Sequence, residues 1–99
     1  MNNQDLIDPF LDRLKFSDFR ASVTFDMGDE GVVTIDASQI PAQVIEGEAE
    51  SDLRVTTGKE MLKGFLDGSK DPNLAFMTGK LKISGSMGLA MKLNTLFDD

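Results

Sequence analysis

The sequence predicts an α+β fold in which five strands gather into a sheet and the helices keep to one face. Three observations carry this. Two-residue alternation of apolar and polar side chains fills residues 19–57. The wider spacing of amphipathic helices occupies the two ends of the chain, and one more short strand, 80–84, stands between helices near the C-terminus. Strands grouped apart from helices make an α+β domain rather than a regular βαβ alternation. Because the strands alternate, one sheet face is buried and the other meets water or polar neighbours. The 99 residues suit one domain with a real but small core.

Each element has a local reason. Leu6, Ile7, Phe10, Leu11 and Leu14 share one helical face. The simplest start puts Asp8 at the N-cap and Pro9 at the first helical position, with Leu6 and Ile7 as a staple in the lead-in. A single kinked helix from about Asn3 is the alternative. Phe19, Ala21, Val23, Phe25 and Met27 alternate with Arg20, Ser22, Thr24 and Asp26 as the cleanest strand. Residues 28–31 are a hairpin turn, and 32–37 return with Val33, Ile35 and Ala37 inward. A weaker strand, 42–46, follows Pro41 and fits a sheet edge. After an acidic turn, 47–52, comes a strand at 53–57. Thr57 and Glu60 then have the spacing of a capping box for the helix Lys59–Asp67, which carries Met61, Leu62, Phe65 and Leu66 on one face and stops at Gly68. Asp71-Pro72 opens a short helix with Leu74, Phe76 and Met77 apolar, and Gly79 closes it. Leu81 and Ile83 point inward from the last strand, Gly85 breaks it, and Ser86 is the next N-cap.

The final helix has an unusual pattern. Leu89, Leu93, Leu96 and Phe97 form one apolar stripe, and Met87, Ala90 and Met91 form a second edge. A surface helix normally has one such stripe. The second implies another apolar surrounding: a partner protein, a membrane or a ligand cavity.

Composition excludes several chemistries. There is no His, Cys, Tyr or Trp beside 6 Met and 7 Phe. This removes disulfides, thiolate metal sites, thiol nucleophiles and every histidine-based triad. The acidic turn lacks the ligand ladder of a calcium loop, and the 17 acidic residues sit in no recognisable catalytic frame. No serine lies in a Gly-x-Ser-x-Gly elbow. Gly85-Ser-Met-Gly88 lacks both the dinucleotide and P-loop fingerprints, so its glycines read as a turn and a close approach. No metal, cofactor or catalytic residue is therefore expected. The net charge of −7 divides as −8 over residues 1–56 and +1 over 57–99. Nucleic acid is excluded as a partner on that balance. No apolar run reaches the length that spans a bilayer, and the polar N-terminus resembles neither a secretory signal nor a transit peptide.

One stretch resembles a known family. Gly79-Lys-Leu-Lys-Ile-Ser-Gly-Ser-Met-Gly-Leu-Ala-Met-Lys-Leu93 is similar to the C-terminal motif of the sterol carrier protein 2 family, and Ala75-Phe76-Met77-Thr78-Gly79 resembles its Ala-Phe-x-x-Gly step. The strand at 53–57 with its helix start resembles the family's strand-into-helix turn. The likeness covers roughly residues 19–97. It implies a five-stranded, mostly antiparallel sheet with helices on one face and a hydrophobic tunnel between them. It also implies non-catalytic binding of fatty acids, fatty acyl-CoA, phospholipids or sterols. On that reading helix geometry selects Phe65, Phe76, Met77, Met87, Ala90, Met91 and Asn94 as lining residues, with Thr78 a polar group nearby. Thr78 stands where family members commonly have Gln, which implies a different headgroup preference. The N-terminal segment is short and the peroxisomal tail is missing, as in a cytoplasmic stand-alone form. A lipid carrier, monomeric rather than dimeric and touching membranes transiently, leads. An accessory or scaffold subunit docking through the two-sided helix is the alternative, and an enzyme comes third.

Overall fold

The computed structural model describes residues 3–97. Its elements are α1 (Gln4–Leu14), β1 (Ser22–Asp26), β2 (Val32–Asp36), β3 (Gln43–Glu46), β4 (Leu53–Thr56), α2 (Lys59–Asp67), α3 (Pro72–Met77), β5 (Lys82–Gly85) and α4 (Met87–Phe97). The sheet runs β3-β2-β1-β4-β5; only β1 and β4 are parallel among its pairs. The architecture is the α+β fold read from the pattern.

Register explains the core. Val23 lies between Ile35 and Leu53, and Phe25 between Val33 and Val55. These six side chains sit on one pleat face and are 2% exposed or less. Helix residues Phe10, Leu62, Phe65, Leu93 and Phe97 complete the layer above them. Phe10 meets Phe25 edge-on at 5.0 Å, and Phe97 lies 5.6 Å from Phe65, offset geometries that suit aromatic quadrupoles.

The other sheet face is covered too, by backbone rather than helix. Residues 47–52 leave the edge strand β3 and cross the outer face to reach β4. Thr24 and Thr34, on the polar phase, become buried beneath them. Their hydroxyls lie 2.9 Å apart; Thr24 also donates to Ser51 Oγ at 2.7 Å, and Thr34 donates to the Gly47 carbonyl at 3.1 Å. Arg54 clamps the crossing, with its guanidinium on Glu48 and on Asp26 at 2.8 Å.

Two helix starts differ from the sequence reading. α1 runs unbroken from Gln4 with Pro9 inside it, so the longer alternative holds and Asp8 is not its cap. Leu6 and Ile7 are thereby carried into the core as helical residues. At α2 the N-cap is Gly58, without a side-chain cap bond. Thr57 donates instead to the Lys80 carbonyl at 2.8 Å, and Glu30, from the hairpin turn, accepts the Lys59 N–H at 3.2 Å. A long-range carboxylate has replaced the local capping box. Both features expected around α3 hold: Asp71 accepts the Asn73 N–H at 2.9 Å, with Pro72 in the first turn.

Arg13 joins three helices. Its guanidinium donates from α1 to the Leu96 carbonyl of α4 at 3.1 Å and to the Leu66 carbonyl of α2. One cation thus meets the final carbonyls of two helices, where the helix dipole is negative. Asp5 adds a second tie, with Lys59 at 2.9 Å and Lys63 at 3.3 Å from its two oxygens.

Candidate functional site

The predicted lining residues converge on α3 and α4, with one exception below them. Asp71 and Pro72 start α3 so that Pro72 and Ala75 face inward. The opposite face then presents Leu74, Phe76 and Met77, which are 60%, 51% and 80% exposed. At Gly79 a φ of +78° reverses the chain, and the Lys80 and Leu81 amides both donate to the Ala75 carbonyl. β5 follows and stops at Gly85. A side chain there would come within 2.4 Å of the Asp52 carbonyl oxygen, and its φ is +122°. Glycine is needed for β5 to lie against the start of β4. Ser86 Oγ accepts the Leu89 N–H at 3.4 Å, as its capping role predicts.

The two edges of α4 meet different surroundings. Ala90, Leu93, Leu96 and Phe97 are buried, while Met87 and Met91 are 68% and 70% exposed. Asn94 donates to Asn73 Oδ1 at 3.3 Å and ties α4 to the beginning of α3. Met77 follows Asn73 by one turn; Met91 and Met87 precede Asn94 by one and two turns. These residues lie on the helix faces that the amide pair joins.

Phe65 is fully buried in the aromatic core, and Ala90 is on the buried side of α4. The Thr78 hydroxyl donates within its own helix turn, to Leu74 at 3.0 Å. The set therefore divides: Phe76, Met77, Met87 and Met91 stand in solvent, Thr78 bonds within its own helix turn, Asn94 ties α4 to α3, and Phe65 and Ala90 are buried. Leu74 belongs to the exposed group; its apolar character in α3 was legible, its outward position was not.

Among the described residues, hollows lie away from these four exposed side chains. One of about 900 Å³, between the ends of α1 and α4, is lined by Asp12, Arg13, Phe16 and Lys92 among others. One of about 370 Å³ is largely polar and has Phe65 and Phe97 at its base. The third, about 420 Å³, is the more apolar: Leu11, Leu14, Ala37, Ile40, Pro41 and Ala42 line it, with Lys15 and Arg20 alongside. Sequence reasoning missed this last one, because its walls come from α1 and the segment around β3, whose apolar residues share no motif.

Electrostatically, the carboxylates with lowered pKa lie away from the α3–α4 face. The Lys59 ammonium holds Asp5 below the usual carboxylate range. The Gly28 backbone N–H, followed by Arg54, does so for Asp26. Arg54 does so for Glu48. Among the described residues no cluster of acidic side chains could hold a metal ion. No described helix is long and apolar enough to cross a membrane.

Fold and site define a small α+β domain with exposed apolar side chains on the last two of its described helices. The sequence model of the SCP-2 sterol transfer family matches residues 7–98, and the chain belongs to that family. Sterol carrier protein 2 of Rattus norvegicus is 36% identical over 70 residues, which are 70% of this chain and 13% of the rat protein. The chain thus aligns with a small part of that relative. The crystal structure of sterol carrier protein 2 like 2 from Aedes aegypti has a TM-score of 0.77 at 22% identity, covering 93% of each chain. The Aedes aegypti sterol carrier protein 2 in complex with palmitate, a C16 fatty acid, has a TM-score of 0.79 at 13% identity, covering 98% of this chain and 96% of that one. Both likenesses concern the fold.

Proposed function

We propose that this chain is a non-catalytic cytoplasmic lipid carrier, a single domain over residues 1–99 that binds one fatty acid or fatty acyl-CoA, with phospholipids and sterols as further ligands. The observation that carries this is the exposed group Phe76, Met77, Met87 and Met91 on paired helices of a fold that binds palmitate in a relative. The acyl chain is seated against these side chains, Phe65 and Ala90 form the floor, and Thr78 and Asn94 meet the headgroup. Unbranched methionines adapt to chains of different length. Moving about 14 methylenes out of water offers about 11 kcal/mol before ordering costs, enough for micromolar binding to a loose fit. The lack of His, Cys and Tyr supports the non-catalytic reading.

Native mass spectrometry with added palmitate is the test. The wild-type chain gains one palmitate mass, which denaturation removes. Phe76→Asp and Met91→Asp stay folded, because both side chains are more than half exposed, yet lose that mass by placing a charge on the acyl path. If both keep it while Ala42→Asp loses it, the ligand occupies the 420 Å³ hollow instead. A wild-type chain that gains no mass from palmitate or acyl-CoA overturns the carrier reading and leaves partner docking.

A further inference from the structure

We propose that Met77, Met87 and Met91 are a modification site: a hydroperoxide oxidises their thioethers to sulfoxides and thereby closes the acyl seat. The inference rests on the carrier reading above and adds regulation of that seat. Three observations carry it.

The first is chemical. The chain has no Cys, His, Tyr or Trp, so its 6 methionine sulfurs are the most readily oxidised atoms it contains. The second is exposure. Met27 is 4% exposed, and Met61 is half-buried against the core. Met77, Met87 and Met91 are mostly in solvent, so among the described residues the sulfurs open to an oxidant are these three. The third is placement. Met77 stands one turn beyond Asn73 on α3, and Met91 and Met87 stand one and two turns before Asn94 on α4. The Asn73 and Asn94 amides are bonded at 3.3 Å. The three side chains thus belong to the paired helix faces on which the acyl chain is seated. Leu74 and Phe76 are exposed there too but are inert to peroxide, so the sulfurs alone confer a response.

The step needs no protein group beyond the sulfur. A sulfur lone pair attacks the distal peroxide oxygen. The S–O bond forms as the O–O bond breaks, sulfur gives two electrons to the peroxide, and the other oxygen leaves with the proton as water or an alcohol. The reverse step consumes two thiols, forms one disulfide and returns the oxygen as water. A thioether is apolar and adapts to an acyl chain; a sulfoxide carries a strong dipole that an acyl chain would strip of water. Because the three side chains are exposed in the unliganded fold, the sulfoxides leave the core packed, and the effect falls on binding.

The test is palmitate binding by native mass spectrometry before and after mild hydrogen peroxide, with peptide mapping of the added oxygen. Mapping is expected to place oxygen on Met77, Met87 and Met91 ahead of Met61 and Met27. The palmitate Kd rises about ten-fold for each sulfoxide the acyl chain covers, with the circular dichroism melt unchanged. A methionine sulfoxide reductase with dithiothreitol restores the lower Kd. Bound palmitate slows oxygen uptake at the three sulfurs and not at Met61. In the variant carrying Met77→Leu, Met87→Leu and Met91→Leu, treated and untreated protein share one Kd, whatever its value; each single Leu variant loses part of the response. Oxygen on all three sulfurs with an unchanged Kd overturns the inference and leaves the carrier reading standing. So does oxidation of Met27 or Met61 first, a peroxide effect that persists in the triple variant, oxygen uptake indifferent to palmitate, or loss of binding together with the folded signal. An untreated chain that takes up no palmitate overturns the carrier reading, and this inference falls with it.

Discussion

Arg13 shows how much one side chain can hold. It meets the last carbonyls of α2 and α4 from a third helix. Arg13→Met keeps the aliphatic stem but leaves those helix ends unpaired, and costs about 2–3 kcal/mol in urea unfolding. Gly85→Ala is expected to cost about 2 kcal/mol, since the new methyl collides with the Asp52 carbonyl and the backbone angle disfavours it. Residue roles were legible where the partner is close in sequence. Asp71 caps a helix two residues away, and its chemistry predicts as much. Glu30 caps α2 from 29 positions away, which no local pattern contains. Arg13 is likewise an ordinary helical cation until tertiary structure brings two helix ends to it.

At the scale of elements, the crossing segment 47–52 turns an alternating strand into one buried on both faces. Thr24→Val keeps shape but takes one partner from each of the Thr34 and Ser51 hydroxyls, which keep their bonds to the Gly47 and Leu53 carbonyls, and is expected to cost about 1–2 kcal/mol in the same unfolding experiment. The ion pairs that tie α1 to α2 and clamp the crossing are also acid-sensitive. Asp5, Asp26 and Glu48 all have lowered pKa values, chiefly through hydrogen bonds to Lys59, to the Gly28 amide and to Arg54 respectively. Their stabilisation is complete above the ordinary carboxylate values and is lost as pH falls through the lowered ones. The urea midpoint is therefore expected to be level down to about pH 5 and to decline below about pH 4. Asp5→Asn makes that decline shallower. Strand phases, the α2 and α3 boundaries and both glycine stops were readable from the chain, because alternation and turn chemistry are local. The unbroken α1 was not: a proline in its interior argues for a later start, and the burial of Leu6 and Ile7 overrides it.

For the whole molecule, the two apolar edges of α4 found different surroundings. One edge is core; Met87 and Met91 of the other are open beside α3. The sequence foretold that two surroundings exist, since helix periodicity requires it, but not that the second is a surface rather than an enclosed wall. Palmitate at about 100 times its Kd is expected to raise folding stability by about 2.7 kcal/mol, read as a higher Tm, and Met91→Asp abolishes that rise. The fold also imposes an order on biosynthesis. α1 leaves the ribosome before α4, and two of its anchors, the Leu96 carbonyl on Arg13 and the Phe97 ring against Phe10, are translated more than eighty residues after it. α1 cannot complete its docking, and part of its apolar face stays open to chaperones, until α4 has been translated.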